Sequence, residues 1–244
     1  MKQIILFFVL IIFFLSIGNV FPVSYNNQTF TSNLKITCTN DESVTISNCI
    51  FDGASLWIEG SCGLVDVSDC IWINQNQSSF TTIMTYGIVN YHRLTFTGPW
   101  LDITNNYSAM VIRSLPGGGW VDNITVTNCP GNCILVESQD IDSIAFGSVM
   151  GIKFNNITCL HAKGGMWFFA QDEFYMNLTV DTFFGNDCTF TEHPTHSLGR
   201  KFPCILDEIG LNTPRDPGNT EFINIFCNGE SFPFIPEISI IKKD

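Results

Sequence analysis

Residues 44–51, VTISNCIF, decide the fold, because they return as residues 65–72, VDVSDCIW. Looser copies stand at 123–129 (NITVTNC), 152–159 (IKFNNITC) and 180–190 (VDTFFGNDCTF). Each copy alternates apolar and polar residues, the period of a strand with one buried face, and then reaches Asn or Asp, in most cases followed by Cys. Four copies close on a Cys-x-ring step: Cys49/Phe51, Cys70/Trp72, Cys159/His161 and Cys188/Phe190. A strand-like unit that recurs at intervals of roughly 20–30 residues predicts a solenoid, in which each turn buries its apolar face only against its neighbours. The Asn/Asp-Cys step sets the expected register.

Working outward, the chain divides into an all-β, single-stranded parallel coil over residues 24–190, an irregular loop or cap over 191–220, and a last strand and tail over 221–244. The coil is expected to hold about seven to nine turns. Residues 24–40 are polar, with Leu34-x-Ile36 alternating, and suit a cap strand that covers the first turn. Residues 74–80, NQNQSSF, form a polar loop, and 191–220 carry Pro194, Pro203, Pro214 and Pro217, which break the strand pattern. No sustained 3.6-residue apolar period follows Gly18. A β-sandwich would require hairpins on Asn-Gly or Asp-Gly turns, and the chain has these only at Asn228-Gly229 and Asp52-Gly53.

Residues 1–18 have the form of a secretory signal peptide: Lys2, an apolar run from Ile4 to Leu15, then Ser16-Ile17-Gly18. The run is shorter than the roughly 20 residues of a spanning helix, so no membrane insertion is expected after cleavage. Loss of Lys2 with the leader removes one positive charge and takes the formal net charge from -12 to -13. An acidic exported chain lacks the Lys and Arg needed for phosphate contact, which excludes nucleic acid as a partner. The expected location is extracellular or at a cell surface.

Ten cysteines in an exported chain predict disulfides. Cys129 and Cys133, flanking Pro130-Gly131, suit a local staple. For Cys49, Cys70, Cys159 and Cys188 two outcomes stay open. Residues stacked in register lie about 4.8 Å apart, within disulfide reach, yet their side chains point the same way, so a column of buried thiols fits as well as bridges. Six sequons supply glycan acceptors at Asn27, Asn76, Asn106, Asn123, Asn156 and Asn177, of which Asn123, Asn156 and Asn177 lie inside the repeat.

The Asn/Asp-Cys-x-Phe step resembles the repeat of right-handed parallel β-helix proteins of the pectin-lyase-like type. Gly164-Gly165-Met166-Trp167 and Phe183-Phe184-Gly185-Asn186 are similar to the Gly-Gly-Ala-Ile and Phe-x-x-Asn repeats of polymorphic outer membrane proteins. The resemblance spans about residues 34–190 and implies a right-handed coil. One such pair of motifs is present and no barrel region follows, so autotransport is not implied.

The sharpest catalytic candidate is Asp140 and Asp142, which on a strand share a face about 6.6 Å apart, a separation suited to an inverting glycosidase. This stretch resembles the Gln-Asp-Asp element of polygalacturonases, with His161 as a further candidate, but Ile141 separates the acids and the other elements of that family are missing. Two metal sets stand beside it: Asp172, Glu173, Asp181 and Asp187 for Ca²⁺, and Cys188, Glu192, His193, His196 and Cys204 for zinc. Neither has a ligand-spacing signature, and the expectation is no metal and no cofactor. Trp57, Trp72, Trp100, Trp120 and Trp167 offer sugar-stacking surfaces, Trp57 with Trp72 first among them. The expected function is a non-catalytic adhesion, glycan-binding or structural module. The alternative is a polysaccharide hydrolase or lyase using Asp140 and Asp142.

Overall fold

The computed structural model describes residues 22–84, 86–100, 107–113, 117–138, 149–170, 176–188, 201–208 and 220–235. Every long regular element among them is a strand. The first nine are β1 (Val23–Asn26), β2 (Thr29–Phe30), β3 (Leu34–Ser47), β4 (Ile50–Asp52), β5 (Leu56–Ser68), β6 (Ile71–Ile73), β7 (Phe80–Met84), β8 (Ile88–Phe96) and β9 (Met110–Arg113). The rest are β10 (Gly119–Thr127), β11 (Asn132–Ser138), β12 (Val149–Ala162), β13 (Gly164–Ala170), β14 (Met176–Cys188), β15 (Lys201–Phe202), β16 (Ile205–Glu208), β17 (Thr220–Cys227) and β18 (Glu230–Ile235).

They form one curled sheet in which almost all pairing is parallel. Val44 pairs with Val65 and Ile46 with Val67, so the two quoted stretches lie side by side in the register expected. One ladder runs Val23, Val44, Val65, Val89, Gly119, Ile152, Leu178, Thr220. A second runs Leu34, Leu56, Phe80, Met110, Ile134, Met166, Ile205. The opening steps of the first ladder, Val23 to Val44 and Val44 to Val65, are its shortest. Its last step, Leu178 to Thr220, is twice as long, because the connections between strands differ in length.

The register mark is the asparagine and not the cysteine. One position beyond the paired Ser47, Ser68, His92, Asp122, Asn155 and Asp181, the backbone turns through the left-handed region in every layer. Those residues are Asn27, Asn48, Asp69, Arg93, Asn123, Asn156, Thr182 and Asn224, with φ between 52° and 62°. For an L-residue this conformation costs about 1–2 kcal/mol, and Asn and Asp tolerate it best because their short polar side chains bond locally. Six of the eight are Asn or Asp for that reason. From the second layer on, the next position faces inward and requires only an apolar side chain: Cys49, Cys70, Leu94, Ile124, Ile157, Phe183 and Ile225 are all buried. Cys159 does not share the column of Cys49 and Cys70. It stacks two positions later, in the column of Phe51, Trp72 and Phe96, through Val126. A second left-handed bend passes through Asn74, Asn128, His161 and Asp187, and Cys129 and Cys188 follow that bend instead.

The core changes material along its length. At the N-terminal end the rings of Phe30, Phe51, Trp72 and Phe96 stack face to face, with centroids 4.9, 4.8 and 4.5 Å apart. Such pairs contribute about 0.5–1.5 kcal/mol each beyond area burial. The same column continues as Val126, Cys159, Gly185 and Cys227, and sulfur takes the place of rings. The bridges are Cys38–Cys62, Cys133–Cys159 and Cys204–Cys227, with Cα–Cα distances of 5.1, 6.2 and 5.7 Å. Each spans 23 to 26 residues and so ties the chain to its next pass. A Cβ on Gly185 would meet the Phe183 ring at 2.8 Å and the Cys204 sulfur at 2.9 Å, so this layer has room only for glycine.

Two expectations are corrected. Cys129 and Cys133 are not stapled: Cys133 bonds to Cys159, and the Cys129 thiol donates to the carbonyls of Tyr107 and Asn132, each at 3.4 Å. The Pro130-Gly131 turn separates the two residues onto different walls, because Cys129 follows a bend while Cys133 lies at the start of β11. Residues 191–220 are not wholly irregular, since β16 lies within them and continues the second ladder beside β13. The last layer, β17, is closed by the antiparallel strand β18.

Thr182 is β-branched and sits at φ 62°, the costliest choice in its column. Thr182→Asn is expected to raise stability by about 1 kcal/mol, and Asn48→Ala to lower it by about 1–2 kcal/mol, both read from urea unfolding. In the ring stack, the buried Trp72 Nε1 has no hydrogen-bond partner, so Trp72→Phe should cost less than about 1.5 kcal/mol while Trp72→Ala costs about 3–5 kcal/mol.

Candidate binding face

The first ladder presents every second side chain outward. One exposed column therefore reads Thr45, Asp66, Asn90, Trp120, Lys153, Thr179, Glu221. Beside it, two positions on, run Ser47, Ser68, His92, Asp122, Asn155 and Asp181. Trp120 is 50% exposed in the middle of this wall. Lys153 in the next layer sets its ammonium 4.9 Å from the indole centroid, and Asn90 flanks Trp120 in the preceding layer. The indole is thus half exposed on a paired strand, with the Lys153 cation over its ring and Asn90 in register in the preceding layer.

The polar neighbours are fixed by bonds across layers. Asn155 Nδ2 donates to Asp122 Oδ1 at 3.0 Å, and Asn224 Nδ2 to Asp181 Oδ1 at 3.2 Å. Arg93 makes a two-pronged pair with Asp69, at 2.6 and 2.7 Å. The Arg93 hydrogen bonds, opposed by slight burial, hold the Asp69 carboxyl below the usual carboxylate range. On the second wall, Glu59 accepts from Trp57 Nε1 at 2.7 Å, from Lys35 Nζ at 2.9 Å and from Thr37 at 3.0 Å. Burial pushes the Glu59 carboxyl up, but these donors and the Lys35 charge outweigh it, and the net shift is downward.

The tryptophans do not form one platform. Trp72 is sealed inside the ring stack and Trp100 is 6% exposed, its Nε1 donating to the Thr127 carbonyl. Trp57 and Trp167 share an outer column but are separated by Thr81, Val111 and Leu135. Among the five, Trp120 is the most exposed, at half its surface, and Trp57 and Trp167 are more buried. Period-2 alternation around Trp120 separates it from Trp72 in the sequence itself, since Val121 and Phe51 mark the inward phase in each case.

Of the acid candidates, Asp140 and Asp142 lie outside the described residues, as do Asp172, Glu173, Glu192, His193 and His196. His161 stands on the second bend, where its Nδ1 lies 3.0 Å from Asp187 Oδ2. Asp181 and Asp187 belong to different bends of β14, and each is engaged with its own neighbour, so they do not converge on one ion. Cys204 is bonded to Cys227 and cannot join a zinc set with Cys188. Among the described residues the two carboxyls with a resolved shift, Glu59 and Asp69, are both held ionised, opposite to the raised value a glycosidase acid needs.

The sequons follow from the bend. Asn27, Asn123 and Asn156 occupy the left-handed column and are exposed. In the last two the next residue is the buried isoleucine and the one after is an outward threonine, so the fold itself writes Asn-Ile-Thr. Asn76 and Asn177 are also exposed, and Asn106 lies outside the described residues.

The thiols are buried. Cys49, Cys70, Cys129 and Cys188 are unbridged, and burial pushes the Cys70 and Cys129 thiols up to about 12.

No family model matches this chain, and neither a curated protein nor a solved structure matches it.

Two outcomes follow from these environments. Glu59 has a folded-state pKa below its ordinary value of 4.5, so its contribution to stability is present above that value and is lost as pH falls through the folded pKa. Glu59→Gln should therefore flatten the unfolding free energy against pH below 4.5, with little change in its slope near neutral pH. The four thiols should resist a disulfide-exchange reagent in the native chain and react fully in guanidinium, a contrast of at least about 100-fold in rate that follows from thiolate fraction and access.

Proposed function

We propose that the chain is a secreted or cell-surface glycoprotein, a right-handed parallel β-helix of about seven to nine turns that binds an extended glycan without cleaving it. The observation that carries this reading is Trp120, a half-exposed indole held on a rigid outer wall, with Lys153, Asn90, Asp122 and Asn155 around it. Sugar rings stack their apolar C–H face on such a plate, and flanking amides and acids accept from or donate to the ring hydroxyls. The regular spacing of layers suits a polymer lying along the wall, since equivalent side chains recur about every 4.8 Å. The three bridges favour an oxidising location. The acidic surface favours a neutral or basic polysaccharide over an acidic one, through like-charge repulsion.

A glycan array probed with the full chain, followed by titration of the strongest hit against indole fluorescence, tests the proposal. Trp120→Ala should weaken binding at least about 10-fold, equivalent to about 1.4 kcal/mol, with the circular dichroism spectrum unchanged. An array with no signal, or wild-type affinity in Trp120→Ala, would sink it. Release of reducing ends that disappears in Asp140→Asn would instead establish the enzyme reading.

A further inference from the structure

Where the ring stack gives way to sulfur, three cysteines meet. Cys133 on β11 is bonded to Cys159 on β12, and Cys188 at the end of β14 places its sulfur 3.4 Å from that of Cys159. All three sulfurs lie within 4.8 Å of one another and all three residues are buried. The Cys188 thiol also donates to the Cys159 carbonyl at 3.2 Å, which holds it against the bridge. Strands β12 and β14 are direct neighbours, and Cys188 pairs with Ala162. Cys159 therefore has two sulfur partners at hand, one from the wall it faces and one from the next layer.

We propose that Cys133, Cys159 and Cys188 form one exchange unit, in which the disulfide occupies either the Cys133–Cys159 or the Cys159–Cys188 pairing. The step is a thiol–disulfide exchange within the chain. The Cys188 thiol gives up its proton, its sulfur forms a bond to the Cys159 sulfur, and the Cys133–Cys159 bond breaks. The electron pair goes to Cys133, which takes the proton. One bond forms and one breaks, nothing is oxidised or reduced overall, and no outside reagent is consumed. The bridge thereby moves from joining β11 to β12 to joining β12 to β14. Burial, with the charge of the adjacent Asp187 and against the pull of backbone hydrogen bonds, holds the Cys188 thiol protonated. The exchange is therefore slow at neutral pH and quickens as pH rises, because the thiolate is the attacking species.

The positions of lysine and arginine make the two pairings separable. Cleavage after Arg113, Lys153, Lys163 and Arg200 leaves Cys159 alone in residues 154–163, Cys133 with Cys129 in 114–153, and Cys188 in 164–200. The full chain, expressed through an oxidising compartment, is unfolded in acidified guanidinium, alkylated there with a maleimide, freed of N-glycans and digested without reductant. Peptide 154–163 should be found linked both to 114–153, through Cys133, and to 164–200. Cys188→Ser should lose the second species entirely, and Cys133→Ser should convert the population to it. A wild-type map in which Cys159 is bonded only to Cys133 would overturn the proposal. So would a Cys133→Ser protein whose Cys159 and Cys188 both take up the alkylating agent. The wild-type map needs no variant and decides the matter even where Cys133→Ser fails to fold.

Discussion

The structure depends on a backbone bend that most residues resist. In each layer the chain leaves one wall for the next through a single residue in the left-handed region, at the same height relative to the strands before and after it. That residue lets the inward and outward phases carry across the corner without a loop, so the strand continues almost unbroken and the sheet curls. An ordinary residue there costs on the order of 1–2 kcal/mol, and the cost recurs with every layer. Asparagine and aspartate lower it, and their side chains can then bond to the preceding layer, as Asn48 does to Asn26 and Asn224 to Asp181. Arg93 and Thr182 depart from this pattern. Arg93 is compensated by its pair with Asp69, and Thr182 by its bond to Asp181.

Once the walls are in register, like positions must share one tube of space. Four aromatic rings fill it in the early layers, at spacings close to the distance between strands. Further on the same column is Val126, Cys159, Gly185 and Cys227, and the volume is made up by Cys133 and Cys204 from another wall and by the Phe183 ring beside Gly185. The bridges are thus part of the packing as much as cross-links. Cys38–Cys62 closes about one pass of the chain, while the other two bridges join different walls of successive layers, and in the chain-entropy account each contributes about 3 kcal/mol.

The all-β class, the parallel pairing and the alignment of residues 44–51 with 65–72 were legible because alternation and recurrence are written directly in residue type. The later copies are misaligned when matched by their cysteines. The physical constraint acts on the bend residue, while the position after it asks only for apolar volume, which Leu94, Ile124 and Phe183 supply as well as Cys49 does. The pair Cys38–Cys62 carries a signal of its own in a separation of 24 residues, about one early pass of the chain. The Cys133–Cys159 bond has no such clarity, since Cys129 and Cys188 compete for the same neighbourhood. Trp120 is one of five tryptophans, and alternation with Val121 gives its outward phase, whereas its neighbours Asn90 and Lys153 are known only from the register. Asp140 and Asp142 fall outside the described residues, so that pair stays where the sequence left it.

The unequal steps between successive passes have a practical meaning. The circuit from Leu178 to Thr220 takes twice as much chain as the circuit from Val23 to Val44, yet both land in the same ladder. The walls fix where the chain must return and leave the length of the excursion free, and doubling a flexible excursion costs only about 0.6 kcal/mol. Such a framework can display foreign peptides from its corners with the walls undisturbed, and over generations it can acquire new surface features one excursion at a time.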